Sequence, residues 1–399
     1  MISTCSPRYH LSLLLVLVPS IAVHSFVHFD SVTTAKSNFH QPSVTLSSLF
    51  QAAKGFGAGP TKKKKSAGKK KDRLSSALND ETSGTKKSKN VSYNKSQQQD
   101  MIEQLQRESM NSCLGRAVAS SPTYGTPDAD PFWELMPSLI QSRFPSAQDN
   151  QLQRIAGFLR HTLNPDLPKT NFDTAGGLRP VEDIHAYMPD LGPTQPFYDA
   201  TQLEFCRQLT ANYDTIQQEY QALLQDMKEN GTDRFQSVTS MNYESGWKTL
   251  VLFYNGHCIE GFPYHLCPTT TKLLETMPLA GRIAGFNRQQ PQTGIPRHTD
   301  GNNMWLTCQM GLHVPEGAYI EVGDEKRYWQ PGECLLYDTT YEHETFNPHE
   351  TDERVVLHVD FFNTLAMTPI EIEIMQYIYS LREQFMKAEG VSKVGAQIL

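Results

Sequence analysis

Between Trp247 and Phe362 the chain is built from short runs in which apolar residues recur at every second position, and this limits the fold more than any other feature. The runs are KTLVLFYNG (248–256), GRIAGFNRQ (281–289), NMWLTCQMGLHVP (303–315), AYIEVGDEKRYW (318–329), ECLLYDTT (333–340) and RVVLHVDFF (354–362). Gly, Pro, Asn and Asp separate them. A period of two places alternate side chains on opposite faces of a strand. Many short strands with turn signals imply a sandwich or a barrel. Gly323–Asp324, between two such runs, predicts a hairpin.

Helical spacing flanks this β region. SQQQDMIEQLQRESMNSCLG, DPFWELMPSLIQSRF and DNQLQRIAGFLRHTL carry apolar residues on one helical face and predict two or three helices between residues 99 and 164. Residues 199–230 read as one helix with a break, with Leu203, Phe205, Leu209 and Tyr213 among its apolar positions. Thr368, Pro369 and Glu371 supply an N-cap, a first-turn proline and a capping-box partner for a last helix from 369. There is no fixed-period repeat, which excludes a solenoid. The fold expected is a mainly β core with helices at both ends.

Charge divides the chain. Residues 1–97 hold 15 Lys+Arg and 4 Asp+Glu, whereas the rest hold 21 and 39. LSLLLVLVPSIAV (11–23) follows Arg8 and precedes Ser25, which fits a signal peptide over residues 1–25. It is short for a membrane span, and an uncleaved anchor is the alternative. Residues 26–97 are Ser-, Thr- and Lys-rich, a transit-like and disordered composition that includes KKKK (62–65). The chain is therefore expected to enter the secretory pathway. A bipartite plastid presequence is one destination, and a lumenal, secreted or anchored protein is the other. Sequons at Asn90, Asn94 and Asn230 fit that route. An acidic body argues against a nucleic-acid partner. No CxxC occurs among the seven cysteines, which argues against a zinc ribbon; Cys258 and Cys267 are close enough to bridge or can remain thiols.

The chemistry centres on IPRHTDGNNMW (295–305). His298 and Asp300 stand two apart, so on a strand or its end an imidazole and a carboxylate converge on one side. YDTTYEHETFN (337–347) supplies His343, 45 residues on. Two histidines and a carboxylate form the facial triad of non-haem Fe(II) oxygenases. Arg354, eleven residues later, is suited to bidentate capture of a carboxylate. His313, His349 and His358 lack such partners and read as structural.

GW (246–247), KLLETMP (272–278), PQTGIPRHTDGNN (291–303), GLHVPEG (311–317), YDTTYEHETFN (337–347) and ERVVLHVDF (353–361) resemble the aspartyl/asparaginyl β-hydroxylase family. The resemblance covers residues 187–368, with a helical region at 98–186 before it and a helix and tail at 369–399 after it. It implies a double-stranded β-helix (jelly-roll, cupin-like), Fe(II), and 2-oxoglutarate and O2 as co-substrates. His298 and His343 match the family's iron ligands, and Arg354 matches its 2-oxoglutarate arginine. The animal enzymes have glycine where this chain has Asp300, so Asp300 either completes a triad or is a turn residue. Gln309 replaces the auxiliary co-substrate histidine, and Asn287 a serine. Thr307 and Trp305 replace two arginines near the acidic substrate, which weakens the case for an aspartyl substrate. The expected activity is hydroxylation of an unactivated C–H bond, of a residue in a peptide or protein, with a free amino acid or a lipid acyl chain as alternatives. Rivals are a catalytically silent β-barrel binding module and a cupin metalloenzyme without 2-oxoglutarate.

Overall fold

The alternating runs become two antiparallel sheets in a computed structural model that describes residues 95–119, 130–237 and 246–388. The expected signal peptide (1–25) and residues 26–94 of the expected disordered segment lie outside these residues, whereas 95–97, expected to be disordered, already belong to a helix. The larger sheet has the order β1-β9-β6-β11-β4-β2-β3. Its strands are β1 (Phe197–Tyr198), β2 (Trp247–Tyr254), β3 (His257–Cys258), β4 (Leu279–Gln289), β6 (Trp305–His313), β9 (Cys334–Tyr337) and β11 (Arg354–Phe362). The smaller sheet has the order β5-β10-β7-β8, from β5 (Thr293–His298), β7 (Tyr319–Val322), β8 (Glu325–Tyr328) and β10 (His343–Asn347). Gly323 and Asp324 form the expected hairpin between β7 and β8: Val322 pairs with Glu325, and Gly323 takes a φ of 63°. No closed barrel forms among the described residues.

One face of the larger sheet is covered by α5 (Glu204–Ala211) and α6 (Tyr213–Glu229), which break at Asn212. Their Leu209, Ile216 and Leu223 pack with Leu306, Met310, Leu357 and Phe361. Each such side chain contributes about 2 kcal/mol by leaving water. Against them packs α7 (Pro268–Leu274). Its first turn is held by Glu219, whose carboxylate accepts from the Thr269 and Thr270 amides at 2.7 and 2.8 Å and from the Thr270 hydroxyl at 2.6 Å.

The N-terminal region contains four described helices rather than two or three: α1 (Lys95–Asn111), α2 (Cys113–Val118), α3 (Pro131–Arg143) and α4 (Asp149–Leu163). The additional break falls at Ser112, whose hydroxyl caps α2 by accepting from the Gly115 amide at 2.8 Å. Of these, α2, α3 and α4 share an apolar cluster with α8 (Pro369–Ala388) and with Ala280, Met304, Trp305 and Phe362 at the strand ends. Most of that cluster comes from the helices, and the four strand-end residues join it to the larger sheet. Arg154 of α4 pairs with Glu371 of α8, and Glu371 also accepts from the Thr368 amide at 2.8 Å, as the capping box requires. No helix among the described residues is long and apolar enough to cross a membrane.

Candidate metal centre

The two histidines meet because β5 and β10 pair antiparallel with His298 opposite His343. His298 ends one strand and His343 begins the other, so both side chains stand at the mouth between the sheets. Their ring centroids are 4.2 Å apart. Each Nδ1 faces the carbonyl two residues earlier, Pro296 at 2.8 Å and Tyr341 at 2.9 Å. Donation of Nδ1–H to those carbonyls leaves both Nε2 atoms as free donors to a metal.

Asp300 follows β5, anchored by its amide to the Thr339 carbonyl at 2.9 Å. Gly301 then turns the chain at a φ of 66°, so close to His185 and the Asp183 carbonyl that a Cβ would lie 2.3 and 2.5 Å from them. The Asp300 Oδ1 lies 4.0 Å from His298 Nε2, and its Oδ2 pairs with Arg282 of β4. One donor atom from each of His298, Asp300 and His343 lies within 4.8 Å of the others.

Their protonation suits a cation. Burial alone would raise the Asp300 pKa, but the Arg282 guanidinium and the two imidazoles more than offset it, holding the carboxyl well below its usual range. Burial, aided by His298, lowers His343 to about 4. At neutral pH the set therefore offers a carboxylate and a neutral buried imidazole, the forms that bind metal.

The opposite wall is the cavity-facing side of the larger sheet. Arg354 is fully buried, and none of its three guanidinium nitrogens has a hydrogen-bond partner among the described residues. The group lies between Trp247 and Trp329, 4.5 and 4.2 Å from the ring centroids. Trp247 lines the cavity in front of it. Arg354, Gln289 and Trp247 are neighbours across β11, β4 and β2, with Val356, Asn287 and Thr249 the next row along. In those rows the Asn287 carboxamide, Gln289 Nε2 and Thr249 Oγ1 are also buried without partners. Buried polar groups are normally satisfied, and among the described residues these three side chains near one buried guanidinium are not. Burial lowers Arg354 to about 9, and an anion would reverse that.

Of the remaining expected residues, Asn287 and Gln309 line the cavity. Gln309 is already engaged: it accepts from Trp329 Nε1 at 3.1 Å and meets His358 Nδ1 at 2.9 Å. The other face of that imidazole reaches Asp360, with Nε2 to Oδ1 at 3.1 Å. Thr307 and Trp305 are not among the cavity-lining residues. The Thr307 hydroxyl is spent on Asp360 at 2.6 Å. Trp305 sits in the apolar cluster beneath the helices, its ring 6.1 Å from Tyr379, because β6 runs past the end of the cavity there. Arg282, His358 and Asp360, which sequence reasoning did not select, do line the cavity. His358 and Asp360 carried a usable signal, since they alternate with Arg354 and share its face of β11. Arg282 carried none, as its partner lies 18 residues away across a turn. A larger cavity of about 230 Å³, beside Arg179 and Tyr187, holds no comparable donor set. Cys258 and Cys267 are free thiols, one exposed and one buried.

Comparison with known proteins adds the following. Residues 210–364 match the family described as aspartyl/asparaginyl beta-hydroxylase. An ornithine lipid ester-linked acyl 2-hydroxylase of Rhizobium tropici is 31% identical over 190 residues, 46% of this chain and 66% of that protein. Human aspartate beta-hydroxylase domain-containing protein 2 is 28% identical over 195 residues, 44% of this chain and 49% of that protein. The chain thus spans 49% to 66% of the length of these relatives. A Pseudomonas putida prolyl-4-hydroxylase structure is similar at 14% identity over 39% of this chain and 97% of its own, with a TM-score of 0.24, too distant to bear on the argument.

Proposed function

The chain belongs to the aspartyl/asparaginyl β-hydroxylase family, and from that premise we propose that it is an Fe(II)- and 2-oxoglutarate-dependent dioxygenase that hydroxylates an unactivated C–H bond. The two sheets would correspond to the double-stranded β-helix of such enzymes. The observation that carries the reading is the unpartnered Arg354 guanidinium, buried among orphaned polar groups behind a wall of the cavity that holds His298, Asp300 and His343. A neutral ligand or an empty scaffold gives no reason to retain it.

His298 and His343 would hold Fe(II) through Nε2, and Asp300 through Oδ1, while Arg282 fixes the second oxygen and so the carboxylate's orientation. When bound, the iron supplies with 2-oxoglutarate and O2 the oxidising power that side chains lack. Arg354 would pair with the far carboxylate of the co-substrate, with Asn287 as an additional donor. The Trp329–Gln309–His358–Asp360 chain fixes the orientation of the His358 imidazole in the cavity wall. Apolar and aromatic walls from Ile283, Ile295 and Tyr337 limit water.

The substrate proposed is a residue of a peptide or protein. The second reading, a lipid acyl chain, draws support from the Rhizobium relative's name and from the walls: Arg282, the cation that lines the cavity, is tied to Asp300. Entry into the secretory pathway through residues 1–25 is part of the proposal. The test is anaerobic titration of the Fe(II)-loaded protein with 2-oxoglutarate, followed by its visible charge-transfer band. A band that is lost in Arg354→Met supports the reading, and no band in the parent refutes it.

A further inference from the structure

On the far face of the larger sheet, away from the cavity, three cysteines from three separate elements converge. Cys206 lies on α5, Cys308 on β6 and Cys334 on β9. Their sulfurs lie within 4.8 Å of one another, with Cys206 and Cys308 Sγ 3.7 Å apart, and all three are free thiols. Cys206 and Cys308 are buried, while Cys334 is partly exposed. Register explains the pairing in the sheet: Cys308 is opposite Leu336, so Cys334 is its diagonal neighbour on the same face. Apart from one another, the sulfurs meet only weak partners, the Cys206 carbonyl at 3.7 Å and the Thr210 hydroxyl at 3.9 Å, both from Cys334.

We propose that Cys206, Cys308 and Cys334 form a second metal site, which takes one thiophilic d10 cation, Zn(II) or Cu(I). Geometry carries this. A metal about 2.3 Å from each sulfur holds them about 3.8–4.0 Å apart, whether tetrahedral with one open position or trigonal. The Cys206–Cys308 separation of 3.7 Å already fits, and the two separations to Cys334, within 4.8 Å, need at most a small closure. Thiolates select such ions over Fe(II), and among the described residues no carboxylate or imidazole joins the cluster. The three thiol protons leave to solvent as the ion enters beside Cys334. Zn(II) would require a solvent molecule as fourth ligand, whereas Cu(I) is content with three sulfurs. Cys308 stands between Thr307 and Gln309, whose side chains face the other way, so the two metal sites lie back to back across one strand. A bound ion would tie α5 to β6 and β9.

The test uses the full chain carrying His298→Ala and His343→Ala, which empties the first site. The protein is reduced and titrated separately with Cd(II), as a spectroscopic substitute for Zn(II), and with Cu(I). An ultraviolet thiolate-to-metal charge-transfer band that saturates at one equivalent supports the site, and the ion giving the tighter binding identifies its class. Cys334→Ser should weaken binding by more than the 10–100-fold typical of outer-shell partners. In wild type, the same ion should protect Cys334 from alkylation, which needs no substitution in the core. Absence of both band and protection overturns the proposal, as does a band that survives Cys206→Ser and Cys334→Ser.

Discussion

Arg354→Met is the most informative substitution, because two opposing terms can be separated. Lowering a guanidinium from 12.5 to about 9 corresponds to about 5 kcal/mol of lost preference for the charged form. The two tryptophan faces, at 4.5 and 4.2 Å, return about 2 kcal/mol each in a desolvated site. The charge in the resting protein is therefore nearly balanced and contributes little net stability. A methionine fills much of the space without the charge. The expected change in urea-derived stability without co-substrate is less than about 2 kcal/mol, against the 3–5 kcal/mol typical of breaking a buried ion pair. With Fe(II) and 2-oxoglutarate at a hundred times its Kd, wild type should gain about 2.7 kcal/mol, and the variant almost none. A loss of about 4 kcal/mol without ligand would mean that Arg354 already has a partner and is structural. Full 2-oxoglutarate protection in the variant would move the anchor elsewhere.

Three further outcomes are expected. His343→Ala should abolish tight Fe(II) binding in calorimetry, and Asp300→Asn should weaken it by more than about tenfold; unchanged affinity in Asp300→Asn would leave two histidines as the ligand set. In metal-free protein His343 titrates near 4 when folded and near 6.5 when unfolded, so the unfolded chain binds the proton first. Stability from this group is complete above about pH 6.5 and falls by about 3 kcal/mol as pH drops towards 4, a slope that His343→Gln should remove. Glu219→Ala leaves two buried donors and one partly buried donor at the start of α7 without an acceptor and should cost about 2–4 kcal/mol, read as a lower urea midpoint with unchanged m-value.

The parts legible in the sequence are those set by local periodicity. Alternation gives the strands, and the i, i+2 geometry at a strand end brings His298 and Asp300 together. The hairpin follows from Gly323–Asp324, and the last helix from its cap. What escaped depends on how far one element runs against another. Trp305, Thr307 and Gln309 share a face of β6, yet nothing in the sequence marks where the cavity stops and the helical seal begins. His358 reads as structural because its neighbours are apolar. But β11 is a central strand covered on both faces, and there apolar neighbours accompany cavity residues as readily as core ones. The Arg282–Asp300 pair and the three-cysteine cluster join segments that only the folded register brings together.

The carbonyls that hold His298 and His343 belong to the main chain of Pro296 and Tyr341. Side-chain replacement at neighbouring positions does not remove a main-chain oxygen. The orientation and tautomer of both imidazoles are thereby insulated from mutation of the residues round them, provided the strand pair keeps its register. Cavity-lining side chains such as Ile283, Ile295 and Tyr337 can then change without disturbing the orientation of the two imidazoles. Divergence of substrate within such a lineage is cheap, and loss of the strand register is the change it cannot survive.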